Sequence, residues 1–410
     1  MKSKKDDKEK DKDKDKDKKD KKKGKRYLSP SFKKGGIKEP KQEGENLFKL
    51  DLMDAEEEED ASPSPVKKPQ KRLSAQEDLQ NFTLEGNIDP DTNYKHRHSQ
   101  QMPAKKSGDE LKTFAIKGGH PKKIASLSQA GKGEDGFTKV NQDSFLIIKK
   151  EYKLDDFNIF AVMDGHGENG HLVSQFVTKF FTSFFKKNKK LNCLTTEDDI
   201  YFRLQKNNFD IIHKAFHHAE KDIVKHDIDA NFSGTTCVMV FQTGKRLVTA
   251  NVGDSRGIIC KKDKAIPLSI DQKPNDPEEE KRIKSLGGEI SQYEEDGEKS
   301  GPFRVWKKGE MFPGIAMSRS IGDLLASTLG VIPEPVVREE TIDEDTKFII
   351  IASDGVWEFL SNDDVVKIVM PFYEKDDAEG ACKALIKKAT EWWNQEDIVV
   401  DDITAIAVFF

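Results

Sequence analysis

The sequence predicts an α+β fold in which antiparallel sheets are covered by helices. Three features predict it. Apolar runs of strand length recur, as in DSFLIIKKEY, FNIFAVMD, KFIIIASDG and ITAIAVFF. The stretch from Gly234 carries three β-rich runs separated by the turns QTGKR and KKDK, the pattern of an antiparallel meander. Helical segments come in blocks of their own instead of alternating one for one with strands, which argues against a parallel βαβ array.

The 410 residues divide by composition. Residues 1–111 are mostly Lys, Asp, Glu, Ser, Pro and Gln, and read as a disordered, charged N-terminal tail. Residues 112–410 carry the dense Val, Ile, Leu and Phe clusters that build a core, and read as one catalytic domain near the upper size for a single core. The net charge of −5 conceals blocks of opposite sign. Residues 1–26 hold fifteen Lys and Arg against eight Asp and Glu, whereas Asp51 to Asp60 contains seven acids and no base. Interleaved aspartates and the lack of aromatics for stacking within the basic block argue against a nucleic-acid partner. Ser29, Ser62 and Ser64, each before proline, and Ser74 in KRLS are short phosphorylation-like motifs of the kind any Ser-rich tail contains.

Cys193, Cys237, Cys260 and Cys382 are widely spaced with no CxxC, so neither a disulfide framework nor a zinc site is expected. No apolar run reaches the length of a membrane span, the start lacks a secretory apolar region, and position 2 is Lys, not the Gly that myristoylation needs. A cytoplasmic or nuclear protein with no membrane partner is the expectation.

After the strands DSFLIIKKEY and FNIFAVMD, Leu172, Val173, Phe176, Val177, Phe180, Phe181 and Phe184 recur at helical spacing and predict an amphipathic helix just past Gly167. A second long helix is predicted from Asp199 to His226. DPEEEKRIKSLGG opens on Asp-Pro and closes on Gly, a capped helix. NDDVVKIVM and ACKALIKKATEWW are helices between the last two strands. His213 and His217, four apart on the second helix, lack an adjacent Glu and are given a structural or surface role.

Four of the apolar runs abut an aspartate. FAVMD ends at Asp164, VTANVGD at Asp254 and FIIIASD at Asp354, while ITAIAVFF follows Asp401 and Asp402. One Asp-Gly after a strand is an ordinary turn. Four suggest carboxylates gathered at one rim, where like charges repel unless a cation neutralises them. Oxygen donors without Cys or HExxH select a hard ion, Mg²⁺ or Mn²⁺. Other phosphate chemistries lack their signatures. No cysteine has Arg six positions later, and there is no GxxxxGK[ST] and no DxDx[TV] after an apolar strand.

In order along the chain come NQD at Asn141–Asp143, DGHG at Asp164–Gly167, SGTT at Ser233–Thr236, GDSR at Gly253–Arg256, SRSIGD at Ser318–Asp323, ASDGVW at Ala352–Trp357 and DDIT at Asp401–Thr404. This series resembles the type 2C, metal-dependent serine/threonine protein phosphatases (PPM family), over about Phe114 to Phe410. GHLV after DGHG and PFRVW before SRSIGD look most like the plant and protist branch. The resemblance implies a central antiparallel β-sandwich flanked by helices on both faces, with a flap subdomain over Asp271–Met317. It implies that Asp164 bridges two Mg²⁺ or Mn²⁺ ions, that Gly165 offers its carbonyl to one, and that Asp354 and Asp401 ligate the second. Asp143 matches an acid that holds metal-bound water, Asp254 a ligand of a weaker third ion, and His166 the general acid; Asp402 carries no ligand role. The reaction implied is hydrolysis of phosphoserine and phosphothreonine in proteins, with phosphoproteins as partners of a monomeric enzyme.

Two positions depart from the family pattern. Thr138 stands where many members have the arginine that holds the substrate phosphate, which leaves neighbouring Lys139 as the candidate phosphate contact, without an arginine's bidentate fork. Gln142 replaces the usual Glu and removes a charge from the site. The alternative to an active phosphatase is a pseudophosphatase that keeps the fold as a binding module.

Overall fold

Alternation within the apolar runs decides the architecture. Five strands form one antiparallel sheet in the order β1 (Lys123–Gln129), β15 (Ile403–Phe409), β14 (Thr346–Ala352), β7 (Arg256–Lys261) and β8 (Lys264–Pro267). A second antiparallel sheet runs β12 (Ile321–Gly322), β4 (Gly234–Thr235), β3 (Phe157–His166), β5 (Cys237–Thr243), β6 (Arg246–Val252) and β13 (Val336–Thr341), with β2 (Asp143–Lys149) also paired to β3. Along β3, Phe160 and Val162 meet Ile349, Ile351, Ile406 and Val408 of the first sheet, while Ile159, Ala161 and Met163 point the other way. Both faces of the central strands are therefore covered, and their sequences read as continuous apolar runs although the sheets are antiparallel.

The outer faces are closed by helices. Against the second sheet lie α1 (Gly170–Lys187) and α2 (Glu197–Ile223), which bury Val173, Val177, Phe181, Ile212 and Phe216. Between them and the far layer in sequence come α3 (Pro277–Ser285) and the single turn α4 (Leu324–Ser327). The first sheet is covered by α5 (Asp354–Trp357), α6 (Asn362–Tyr373) and α7 (Ala378–Glu396), through Val365, Val369, Leu385 and Ile386. The layers are helix, sheet, sheet, helix, the sandwich that the sequence resemblance implies. This computed structural model describes residues 120–149, 157–188, 196–295, 297–396 and 399–410, with Leu191 and Leu194. The tail motifs at Ser29, Ser62, Ser64 and Ser74, and Cys193, lie outside the described residues.

Two expectations change and a third, the flap, gains its detail. The long second helix is broken at Lys206–Phe209, where Asn207, Asn208 and Phe209 all have positive φ; paired asparagines tolerate that conformation better than most residues. The three β-rich runs are five strands shared between two sheets, because the chain crosses from one sheet to the other at Gly253–Ser255, between β6 and β7. The region expected as a flap contains α3 and a third small sheet, β11 (Pro313–Ile315), β10 (Glu298–Lys307) and β9 (Gly288–Glu295), with its own cluster of Ile283, Val305, Ile315 and Met317.

One buried carboxylate fastens this flap to the body. Glu279 on α3 accepts from Arg282, from the Arg319 guanidinium at 2.7 Å and from the Ser318 hydroxyl at 2.6 Å. Burial alone would raise its pKa, but the two arginines and the hydroxyl outweigh it and hold the carboxyl at about 2. With a folded pKa below the unfolded one, this contribution is fully present above about pH 4.5 and is lost as pH falls toward 2. Glu279→Gln should cost about 3 kcal/mol at pH 7 in urea unfolding, and the gap to wild type should shrink by about half at pH 3.5. A gap independent of pH would show that the pair contributes through packing alone.

Candidate metal centre and active site

Asp164 and Asp143 face each other on adjacent strands, since β2 pairs with β3 in the register Asp143↔Asp164. The first sheet brings Asp354, at the start of α5, and Asp401, just before β15, to the same rim. The proximity shows in their protonation. Burial first, then the Asp354, Asp143 and Asp401 charges, push the Asp164 pKa well up; burial, then Asp401 and Asp254, do the same to Asp354. Each of these two carboxylates therefore makes the other harder to ionise. Asp143 is raised to about 7, chiefly by burial, even though Ser353 donates to its Oδ2 at 2.7 Å.

The donor set fits a hard cation. The Oδ1 atoms of Asp143, Asp254 and Asp354 are buried with no hydrogen-bond partner, an expensive arrangement without a counter-charge. Among the described residues no three His, Cys, Asp or Glu side chains close on one point. Carboxylates spread along a rim suit an ion that keeps several waters, as Mg²⁺ does.

Gly165 is dictated by space. A Cβ there would fall on the backbone oxygens of Gly170 and Gln142. The same strand end carries His166, whose Nε2 lies 2.7 Å from Asp323 Oδ2. Burial opposes the imidazolium, but Asp323 outweighs it and the His166 pKa is raised. Asp323 also accepts from Ser320 Oγ at 2.5 Å and sits at φ +48°, in the left-handed region. Behind it, the buried Glu220 of α2 accepts from Gly322 N at 2.6 Å; burial lifts this carboxyl to about 7.

Sequence reasoning quoted SRSIGD but gave Asp323 no role. A short polar residue after Gly at the end of an apolar stretch was the signal; its partner appears only when β12 pairs with β4 and β4 with β3.

The remaining candidates separate. Asp254, at the crossover between sheets, is ion-paired with Lys273 at 2.5 Å, a partner that sequence reasoning did not name. Asp402 braces the backbone: its oxygens accept from Gly131 N at 2.7 Å and Gln142 N at 2.9 Å. Lys139 differs from expectation. Its ammonium lies 2.5 Å from Asp401 and 3.5 Å from Asp402 instead of standing free for a phosphate, because two carboxylates next to it are the stronger attraction. Thr138 is exposed. Gln142 does more than remove a charge. Its amide donates to the Gly167 carbonyl at 2.7 Å, a bond that an ionised Glu cannot make, and so braces the turn carrying His166. His213 and His217 flank the Glu334 carboxylate and tie α2 to the segment after α4, away from the rim.

Comparison with known proteins agrees with this arrangement. The family model "Protein phosphatase 2C" matches residues 129–398. Probable protein phosphatase 2C 35 of Arabidopsis thaliana is 32% identical over 301 residues, covering 69% of this chain and 82% of its own length. Probable protein phosphatase 2C 12 of Oryza sativa subsp. japonica is 30% identical over 336 residues, covering 72% and 83%. Among solved structures, a serine-threonine phosphatase 2C from Toxoplasma gondii superposes with a TM-score of 0.59 at 20% identity, over 70% of this chain and 94% of that one, a likeness of fold. The carboxylate rim, the His166 turn and these relatives lead to one conclusion: the chain belongs to the protein phosphatase 2C family and is a serine/threonine protein phosphatase acting on phosphoproteins.

Proposed function

We propose that the reaction is metal-dependent hydrolysis of phosphoserine and phosphothreonine, with His166 as general acid. The observation that carries it is the His166–Asp323 pair, 2.7 Å apart and two residues from Asp164 in the carboxylate cluster. Asp164, Gly165 through its carbonyl, Asp354 and Asp401 would hold two Mg²⁺ or Mn²⁺ ions, with Asp143 on bound water and Asp254 toward a weaker third. Bound there, such ions lower the pKa of a water and neutralise phosphoryl oxygens.

The chain's own residues do the rest. The leaving serine or threonine oxygen needs a proton as its bond to phosphorus breaks, and the His166 imidazolium supplies it. Asp323 fixes the ring through Nε2 and keeps it protonated to higher pH. Gln142 and the wall around Gly165 keep the turn from shifting. Among the described residues no helix is long and apolar enough to cross a membrane. Action as a monomer in the cytoplasm or nucleus remains part of this proposal.

Three measurements test it. Mn²⁺-dependent phosphate release from a phosphothreonine peptide should fall at least a hundredfold in Asp164→Asn; equal rates would end the metal-dependent reading. A general acid works below its pKa, so activity should fall as pH rises through the raised His166 value. Asp323→Asn should move that falling limb to lower pH, and an unmoved limb would detach His166 from proton transfer. Lys139 competes with an ion for Asp401, so Lys139→Ala should lower the Mn²⁺ concentration for half-maximal activity by about fivefold. A raised peptide KM with unchanged Mn²⁺ dependence would instead return Lys139 to the phosphate.

A further inference from the structure

An aromatic pair, Phe232 exposed and Phe312 half-buried, spans the gap between the His166 turn and the flap. Phe232 and Phe312 stand edge to face, ring centres 6.2 Å apart at 75°. Phe232 is 55% exposed and Met311, next to Phe312, is 65% exposed. Large apolar side chains clustered in water at a working cleft call for a partner.

Their backbones are held firmly. The carbonyl of Phe232 lies where a Cβ on Gly167 would sit, and Ser233 Oγ accepts from Asn169 N at 2.9 Å, so Phe232 is locked to the DGHG turn. His166 pairs with Gly234, only two residues from Phe232, about 7 Å of extended chain. On the flap side, the Phe312 carbonyl accepts from Lys307 N at 2.8 Å and Arg304 holds the Gly314 carbonyl at 2.6 Å. The ring of Trp306 packs where a Gly314 side chain would be, so the hairpin presenting Phe312 is stiff. A rigid apolar shelf thus lies within one to three residues' reach of the proton donor.

We propose that this shelf is a substrate subsite. It seats an apolar side chain of the phosphoprotein, one to three residues from the phosphorylated position. The inference rests on the catalytic reading of His166. The occupant follows from continuity: a phosphorylated residue placed for His166 must run its neighbouring residues over Phe232 or away from it, and only the first course buries the exposed rings. Specificity then comes from main-chain-proximal apolar contact, leaving the phosphate to the ions that the carboxylate rim would hold.

The test uses the full chain with Mn²⁺ and phosphothreonine peptides that differ only in Leu or Ala at single positions from −3 to +3. At one position Leu should raise kcat/KM about tenfold over Ala. Phe232→Ala and Phe312→Ala should each abolish that advantage while leaving turnover of p-nitrophenyl phosphate, which has no flanking residue, unchanged. Phe137→Ala, a control at the exposed ring beside Thr138, should preserve it. Equal kcat/KM for every Leu/Ala pair, or an advantage that survives both shelf substitutions, would overturn the subsite alone. No metal-dependent turnover of peptide or small ester would instead bring down the catalytic reading and the subsite with it.

Discussion

Mutual repulsion among buried carboxylates is the constraint on which the rest of the structure depends. Asp143, Asp164, Asp354 and Asp401 are brought to one rim from two sheets, and each raises the cost of ionising its neighbours. No fold selected for stability alone would gather them. The sandwich tolerates the cluster because the strands behind it are buried on both faces and cannot yield: Phe160 and Val162 lock β3 against the first sheet, and Ile349 and Ile351 lock β14 against the second. Local relief comes from Lys139 on Asp401 and Lys273 on Asp254. In the proposed reaction a divalent cation would take the place of these lysines.

The same rim explains the arrangement around His166. Partial burial opposes a proton on this imidazole, and a carboxylate of its own, Asp323, outweighs that and raises its pKa. Asp323 is in turn fixed by the Ser320 hydroxyl and by its neighbour Gly322, whose backbone N–H donates to the Glu220 carboxylate. His166 and the carboxylate rim are thereby carried on neighbouring strand ends with different electrostatic surroundings, which suit the roles proposed for them, proton donor and cation holder. The flap is fastened to this assembly through Glu279 and Arg319, the residue following Ser318 in the same SRSIGD segment.

Legibility in the sequence follows burial. The strands β3, β5, β14 and β15 are apolar on both faces and stand out as unbroken runs, and the aspartates at the ends of β3, β14 and β15 could be read from them. By contrast, β9 and β10 are largely exposed, with sequences such as GEISQYEE, and carry no period that separates them from a loop. The break in α2 was hidden because Lys206, Asn207 and Asn208 are ordinary on the polar face of a helix; the signal was the asparagine pair. Residues whose work depends on a distant partner were the least visible. Gln142 read as a missing charge until Gly167 appeared as its acceptor, Lys139 as a phosphate contact until Asp401 and Asp402 appeared beside it, and Asp323 as part of a motif without a task.

The central claim is that the rim is an electrostatic deficit which a divalent cation resolves. Titration calorimetry of the full chain with Mn²⁺ near pH 7, in buffers of different ionisation enthalpy, tests it most directly, because the raised carboxyls must give up protons as the ion enters. The account predicts an observed enthalpy that varies with the buffer, showing net proton release, together with a rise in melting temperature at saturating Mn²⁺. Binding with no proton release and no gain in stability would contradict it.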